Sequence, residues 1–147
     1  MKHSIARKLL TSLLCVLLAA ALAMGTLGCS KAPEATGSGV VTMEDGATLG
    51  QGAVSFTFTV VNGEGKEITV TINTDKETVG EALTDLGLIS GEDSEYGLMV
   101  DTVNGETWSY AESGKYWAFY IDGEYATTGV DATDIVAGTV YSLKAEG

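Results

Sequence analysis

The segment from Lys115 to Ala126 is the densest aromatic run of the chain, and it constrains the fold more than any other feature. Asp122-Gly123 at its centre favours a two-residue type I′ turn, because both central residues of that turn have positive φ. Successive side chains of a strand point to opposite faces. The segment therefore predicts a β-hairpin with one large apolar face and one tyrosine face. The apolar face holds Trp117, Phe119 and Ile121, and the tyrosine face holds Tyr116, Tyr120 and Tyr125.

Two alternating segments, residues 54–60 and 68–72, predict an earlier hairpin. A two-residue turn between them would bring apolar side chains of one strand onto the polar face of the other, since a one-residue slip reverses every side chain. A three-residue loop at Gly63-Glu64-Gly65 avoids this mismatch, with Gly65 left-handed. That loop predicts the pairs Phe58 with Val70 and Phe56 with Ile72.

A short helix is predicted after this hairpin. Thr78 and Glu81 have the spacing of a capping box, in which each side chain accepts a hydrogen bond from the other residue's backbone. Apolar residues then recur at helical spacing. Gly87 stands where a C′ glycine belongs, followed by Leu88 for a Schellman ending. The apolar stripe consists of Val79, Ala82, Leu83 and Leu86.

The rest of the domain alternates between strands and turns. Residues 90–95 predict an acidic loop, residues 98–100 a strand, Asn104-Gly105 a turn, and residues 139–144 a closing strand. A hairpin followed by a helix and further strands predicts the α+β class. The expected architecture is a β-grasp-like mixed sheet with one short helix packed across it.

Residues 1–28 predict a lipoprotein signal peptide. Lys2, Arg7 and Lys8 precede an apolar run that is slightly short for a membrane span. The sequence before Cys29 resembles the lipobox of bacterial lipoproteins, which implies that Cys29 is diacylated and holds the protein to the outer face of the cell membrane. More than one acyl chain is needed for stable anchoring. The alternative is a secreted protein with an unmodified cysteine.

Residues 29–52 are rich in Gly, Ala, Ser and Thr, which predicts a flexible tether. About 20 such residues have a root-mean-square reach of roughly 25 Å. Residues 40–42 allow a short strand in this segment. The predicted globular domain covers residues 53–147.

The charge of the mature chain disfavours nucleic acid as a partner. After residue 28 the chain has five lysines, 20 acidic residues and no Arg or His, a formal net charge of −15. Binding to nucleic acid depends on basic residues that neutralise phosphates. Without His and with its one Cys acylated, the mature chain lacks the commonest catalytic base and a strong nucleophile, so we expect no enzyme activity. Zinc is disfavoured for the same reason.

Two acidic segments are candidates for calcium, which prefers oxygen ligands. They are residues 92–95 and residues 131–134, and neither has the spacing of an EF-hand. The alternatives are a solvated acidic loop and a turn with a capping aspartate. We expect no metal site and no covalent cofactor other than lipid.

Residues 114–126, together with Gly129-Val130-Asp131, Ile135, Gly138 and Tyr141, resemble the transcobalamin-like C-terminal domain family of bacterial surface domains. In animal cobalamin carriers the related domain closes over a corrinoid, which lies between it and a helical barrel. The resemblance therefore implies a β-grasp-like fold and binding of cobalamin, another corrinoid or another flat ligand for uptake.

The tyrosine face is the candidate binding site. Tyrosine gives rigid contact area with a polar tip. The candidate ligand-binding residues are Trp108, Tyr116, Tyr120 and Tyr125. The alternatives are that these tyrosines only stabilise the sheet as cross-strand pairs, or that the domain is an interaction or adhesion module that meets a neighbouring surface or transporter protein. A concave aromatic pocket would favour a small ligand, and a flat patch or open strand edge would favour a protein.

Overall fold

The first hairpin forms as its alternation predicts. The computed structural model describes residues 42–147, and in it Phe58 pairs with Val70 and Phe56 with Ile72. Asn62 and Lys66 close the three-residue loop, and Gly65 within it has a φ of 81°. The apolar side chains of both strands must face the same core, and this requirement determines both the register and the odd number of loop residues.

The described residues contain two helices, one 3₁₀ turn and nine strands. The strands are β1 (Thr48–Gly50), β2 (Val54–Val61), β3 (Glu67–Thr74), β4 (Ile89–Ser94), β5 (Gly97–Val103), β6 (Glu106–Thr107), β7 (Tyr116–Ile121), β8 (Glu124–Tyr125) and β9 (Val140–Glu146). The helices are α1 (Val79–Asp85) and α2 (Tyr110–Ser113), and the 3₁₀ turn is Val130–Ala132.

Helix α1 begins and ends as its sequence signals predict. The hydroxyl of Thr78 accepts from the Glu81 backbone N–H, and the Glu81 carboxylate accepts from the Thr78 backbone, which completes the capping box. Gly87 has a φ of 68°, and the Leu88 N–H donates to the Leu83 carbonyl in a Schellman ending. A helix of two turns is marginal alone, and its buried residues hold it to the core. These are Val79, Gly80, Ala82 and Leu83.

The main sheet has the strand order β1-β3-β2-β9-β7-β8 and is mixed. β9 runs parallel to β2 and antiparallel to β7, which places the last strand at the centre of the sheet. One face carries the core, in which Trp117 and Phe119 are buried beside Tyr141 and Leu143. The predicted α+β class, with one short helix across a mixed sheet, is confirmed.

A second sheet of order β4-β5-β6 corrects one prediction. Residues 90–95 are not mainly a loop: β4 extends through Ser94 and pairs with β5 as far as Ser94 with Gly97. Its acidic side chains Glu92 and Asp93 are both exposed, although neighbouring residues of a strand point to opposite faces. This stretch therefore lacks the apolar alternation that would have revealed a strand. The Asn104-Gly105 turn forms, with φ values of 50° and 81°.

The N-terminal edge of the sheet was not predicted. β1 lies within the segment that composition assigned to the tether, and it pairs parallel to β3. Just before it, Met43 is buried, and its N–H donates to Asn104 Oδ1 at 2.8 Å. Thr42 is not part of a strand, and residues 40–41 lie outside the described residues.

The signal peptide, the proposed lipid attachment at Cys29 and most of the tether also lie outside residues 42–147. Neither helix in that range is long and apolar enough to cross a membrane.

Candidate functional site

The β7–β8 hairpin sets the geometry of the tyrosine face. Its turn residues Asp122 and Gly123 have φ values of 49° and 86°, as a type I′ turn requires. Tyr120 then pairs with Tyr125 across the two strands. Their rings meet edge to face with centroids 5.5 Å apart, a favoured geometry for aromatic pairs.

Four tyrosines form one group at this edge of the sheet, which we call the tyrosine patch: Tyr110, Tyr116, Tyr120 and Tyr125. The ring centroids of Tyr110 and Tyr116 are 6.3 Å apart. Tyr110, Tyr125 and Tyr116 are 71%, 59% and 38% exposed. The structure thus brings together the three predicted hairpin tyrosines and adds Tyr110, which begins helix α2. That helix is too short for a periodic signal, so its tyrosine was not predicted as a site residue.

The patch covers the sheet beneath it. Ala118 lies between Tyr116 and Tyr120 on the same face of β7 and is only 1% exposed. On the neighbouring strand, the ammonium of Lys144 lies 4.3 Å from the ring centroid of Tyr120, a cation–π contact. The tyrosines are therefore held by packing and by charge, as a preformed binding surface would be.

One carboxylate at the patch affects tyrosine ionisation. The hydroxyl of Tyr120 donates to Glu146 Oε1. This hydrogen bond is the main cause that raises the pKa of Tyr120 to about 12, because an ionised phenolate would lose the bond and face a negative charge. The pKa of Tyr116 is also raised, first by desolvation and then by the charge of Tyr125. Both hydroxyls therefore stay protonated donors at neutral pH.

Trp108 lies apart from this patch. Its ring is half-buried against the core, beside Gly63 in the β2–β3 loop. The ammonium of Lys115 covers it at 4.4 Å from the ring centroid. The aromatic pairs within residues 42–147 do not join Trp108 to a tyrosine. We expected Trp108 to join the tyrosine face from the loop before the hairpin, but the structure packs it against Gly63 and the core instead.

A groove of about 230 Å³ opens beside β7 rather than over the tyrosine patch. Of the patch residues, only Tyr116 lines it. Its other lining residues come from β5, β7, β9, the 3₁₀ turn and the residue before that turn: Leu98, Met99, Val100, Trp117, Phe119, Gly129, Val130 and Leu143. The tyrosine patch is thus an exposed surface, and the apolar groove is a separate feature.

The two acidic segments considered for calcium have different surroundings. Glu92 and Asp93 are exposed on β4. Asp131 packs against Gly97, and its Oδ2 accepts from the Leu98 N–H at 3.0 Å. Residues 42–147 contain no group of three or more His, Cys, Asp or Glu side chains placed to hold a metal ion.

Comparison with known proteins identifies a family. A model described as a domain of unknown function, DUF4430, matches residues 76–142. A crystal structure from Ruminococcus gnavus ATCC 29149, described as a "putative metal binding protein", is 31% identical with a TM-score of 0.60. The likeness covers 64% of this chain and 97% of that protein. The chain belongs to the family of this protein.

Haptocorrin in complex with Cbi is a second similar structure. It is 16% identical, with a TM-score of 0.48, and the likeness covers 63% of this chain and 25% of haptocorrin. At that level the likeness carries no argument about function, and membership of the transcobalamin-like family stays a prediction. No curated protein matches the chain.

Proposed function

We propose that the domain is a non-catalytic binding module. Its tyrosine patch binds one face of a flat ligand, and a corrinoid is the first candidate for that ligand. The observation that carries this proposal is the grouping of four tyrosines, three of them well exposed, on one edge of the sheet. Tyrosine and tryptophan are enriched where proteins bind partners, because they combine large rigid contact area with a hydrogen-bonding tip.

The chemistry of the patch suits a broad ring edged with amides. Tyrosine rings offer contact area to the flat face of such a ligand. The hydroxyls of the exposed Tyr116 and Tyr125 side chains can donate to its amide carbonyls. The sequence resemblance supplies the corrinoid as the ligand to test first. Because no His follows residue 28, a bound corrinoid keeps its own lower cobalt ligand or takes water.

The patch is one wall of a site. Small-molecule sites usually enclose most of their ligand in a concave pocket, and the groove in this domain lies beside the patch and not over it. We therefore propose that a second surface, from a neighbouring surface or transporter protein, covers the other face of the ligand during uptake.

The exposure of the patch supports a second candidate function, which is direct protein binding. Flat surfaces rich in tyrosine serve as interaction sites without any small molecule. On this account the tyrosines contact the partner themselves, and no corrinoid is needed for the complex to form.

We also propose that lipidated Cys29 holds the module to the outer face of the bacterial cell membrane. The predicted signal peptide and lipobox support this location. The predicted tether would then carry the domain clear of the lipid headgroups.

Calorimetric titration of the domain without Cys29 tests the proposal, using cobalamin and a base-free corrinoid as separate ligands. We expect binding at about 10 μM or tighter, and a loss of about tenfold or more in Tyr125→Ala. Tyr96→Ala is the matched control, since Tyr96 is 86% exposed and lies outside the patch. Equal affinity in the two variants would overturn the assignment of the patch.

A calcium titration in the same experiment tests metal ions as the competing class of ligand, because the Ruminococcus gnavus relative is described as a metal-binding protein. Binding of calcium with no heat from either corrinoid would favour a metal-binding role instead.

A further inference from the structure

Strand β7 is paired along only part of one edge. β9 pairs with all of β7, from Tyr116 to Ile121. On the opposite edge β8 pairs only with Tyr120 and Ile121, and the Ala126 N–H adds a bond to the Phe119 carbonyl. Within the described residues, the first half of β7 therefore has a strand neighbour on one side alone.

The alternation of antiparallel pairing shows which groups face the open side. Neighbouring residues of a strand direct their backbone N–H and C=O groups to opposite edges. Phe119 directs its carbonyl towards β8. Trp117, two residues earlier, directs its N–H and C=O the same way, to the edge where β8 has already ended. Trp117 thus has one donor and one acceptor on the side of β7 where β8 supplies no partner.

The apolar groove lies beside this open edge. Trp117 and Phe119 line one side of it, and Leu98 and Val100 of β5 line another. Side chains of an added strand alternate between its two faces. Every second side chain would then enter the groove while the backbone bonds to Trp117. Main-chain bonding together with pockets for alternate side chains is the usual form of strand addition.

Charge indicates the chemistry of the added strand. Residues 42–147 carry 19 acidic residues and four lysines. The β4–β5 hairpin beside the groove exposes Glu92, Asp93 and Glu95. The nearby Lys115 is turned elsewhere, since its ammonium lies over Trp108 and donates to the Gly63 carbonyl at 3.3 Å. A basic segment is the complementary partner.

We propose that the open edge of β7 and the adjoining groove receive an extended basic segment of another protein, added as a strand. Its apolar side chains at alternate positions enter the groove, and its lysines or arginines face the acidic rim. This site goes beyond the proposed function, because it uses the β7 edge and the groove rather than the tyrosine patch.

The test uses a peptide of about eight residues that alternates lysine and valine, which is the length of an ordinary strand. Amide hydrogen exchange is followed by NMR on the domain that lacks Cys29 and carries no substitution. We expect the Trp117 amide to exchange at least about tenfold more slowly with the peptide present, since it gains a hydrogen bond. Unchanged exchange at Trp117 under saturating peptide would overturn the proposal.

Two control peptides separate the backbone from the charge. Replacing the valines by proline removes N–H groups needed for strand pairing, and replacing the lysines by glutamate reverses the charge. We expect neither to protect Trp117. Equal protection by the glutamate peptide would contradict the charge argument, and equal protection by the proline peptide would contradict strand addition.

A matched pair of variants places the peptide in the groove. Val100→Lys adds a like charge to the groove lining, and Val136→Lys makes the same change at an exposed valine outside it. We expect about tenfold weaker binding in the first variant alone. If Val100→Lys does not fold, exchange at Trp117 in the unaltered domain still decides the question. Tyr125→Ala should bind the peptide normally, which distinguishes this site from the tyrosine patch.

Discussion

Replacing Gly80 by alanine should destabilise the domain, although helix propensity alone favours the change. Gly80 is buried in the first turn of α1, where the helix meets the 3₁₀ turn. A Cβ atom at this position would lie 2.7 Å from the Asp131 Cα and 2.8 Å from the Asp131 N. Both neighbours are backbone atoms, so neither can rotate away as a flexible side chain would.

The expected magnitude follows from two opposing terms. Alanine is favoured over glycine in a helix interior by at most about 1 kcal/mol. Forcing one extra carbon into a well-packed site costs typically about 1–3 kcal/mol. Because the Cβ contacts are well below van der Waals distance, we expect the cost to lie near the upper end. The net loss of stability is then about 1–2 kcal/mol, or roughly 5–10 °C in Tm for a domain of this size.

Thermal unfolding followed by circular dichroism measures this difference, and Thr84→Ala is the control. Thr84 lies in the same helix with its side chain exposed, so alanine there should raise stability by about 0.5 kcal/mol. A rise in Tm for Gly80→Ala would refute the reasoning, because it would mean that α1 and the 3₁₀ turn do not meet as closely as the structure shows.

Three further predictions concern the helix cap, the patch and the membrane anchor. Thr78→Ala should cost about 1 kcal/mol in urea unfolding, since it removes the capping hydroxyl; no change would contradict the capping box. Glu146→Gln should lower the pKa of Tyr120 from about 12 towards 10, measured by tyrosinate absorbance. In the unaltered domain, the stability from this raised pKa is complete below pH 10 and is lost as the pH rises to about 12; an unshifted titration would exclude the Glu146 contact. Cys29→Ala should abolish acylation and release the protein from the membrane fraction, and continued incorporation of labelled fatty acid would refute lipidation at Cys29.

Local signals were enough to predict the two hairpins and the helix. The Asp122-Gly123 turn needs positive φ, which few residue pairs supply cheaply, so its position was set by sequence. The capping box and Gly87 similarly fixed the ends of α1. For the first hairpin, Phe58 and Val70 had to face one core, and that requirement settled the register.

The missed elements depend on distant contacts. β4 carries acidic side chains and forms because β5 supplies its hydrogen bonds. β1 is three residues long and lies in a segment of tether-like composition, so only its pairing with β3 reveals it. Tyr110 joins the patch through the short helix α2, and Trp108 leaves it by packing beside Gly63. Neither placement has a local periodic signal.

NMR of the tyrosine rings gives the most direct test of the proposed binding face. The chain has six tyrosines, of which four form the patch, while Tyr96 and Tyr141 lie outside it and serve as internal controls. With tyrosine ¹³C-labelled, a base-free corrinoid should shift or broaden the four patch signals and leave the Tyr96 and Tyr141 signals unchanged. Four unperturbed patch signals at saturating corrinoid, or perturbation confined to Tyr96 and Tyr141, would contradict binding at the tyrosine patch.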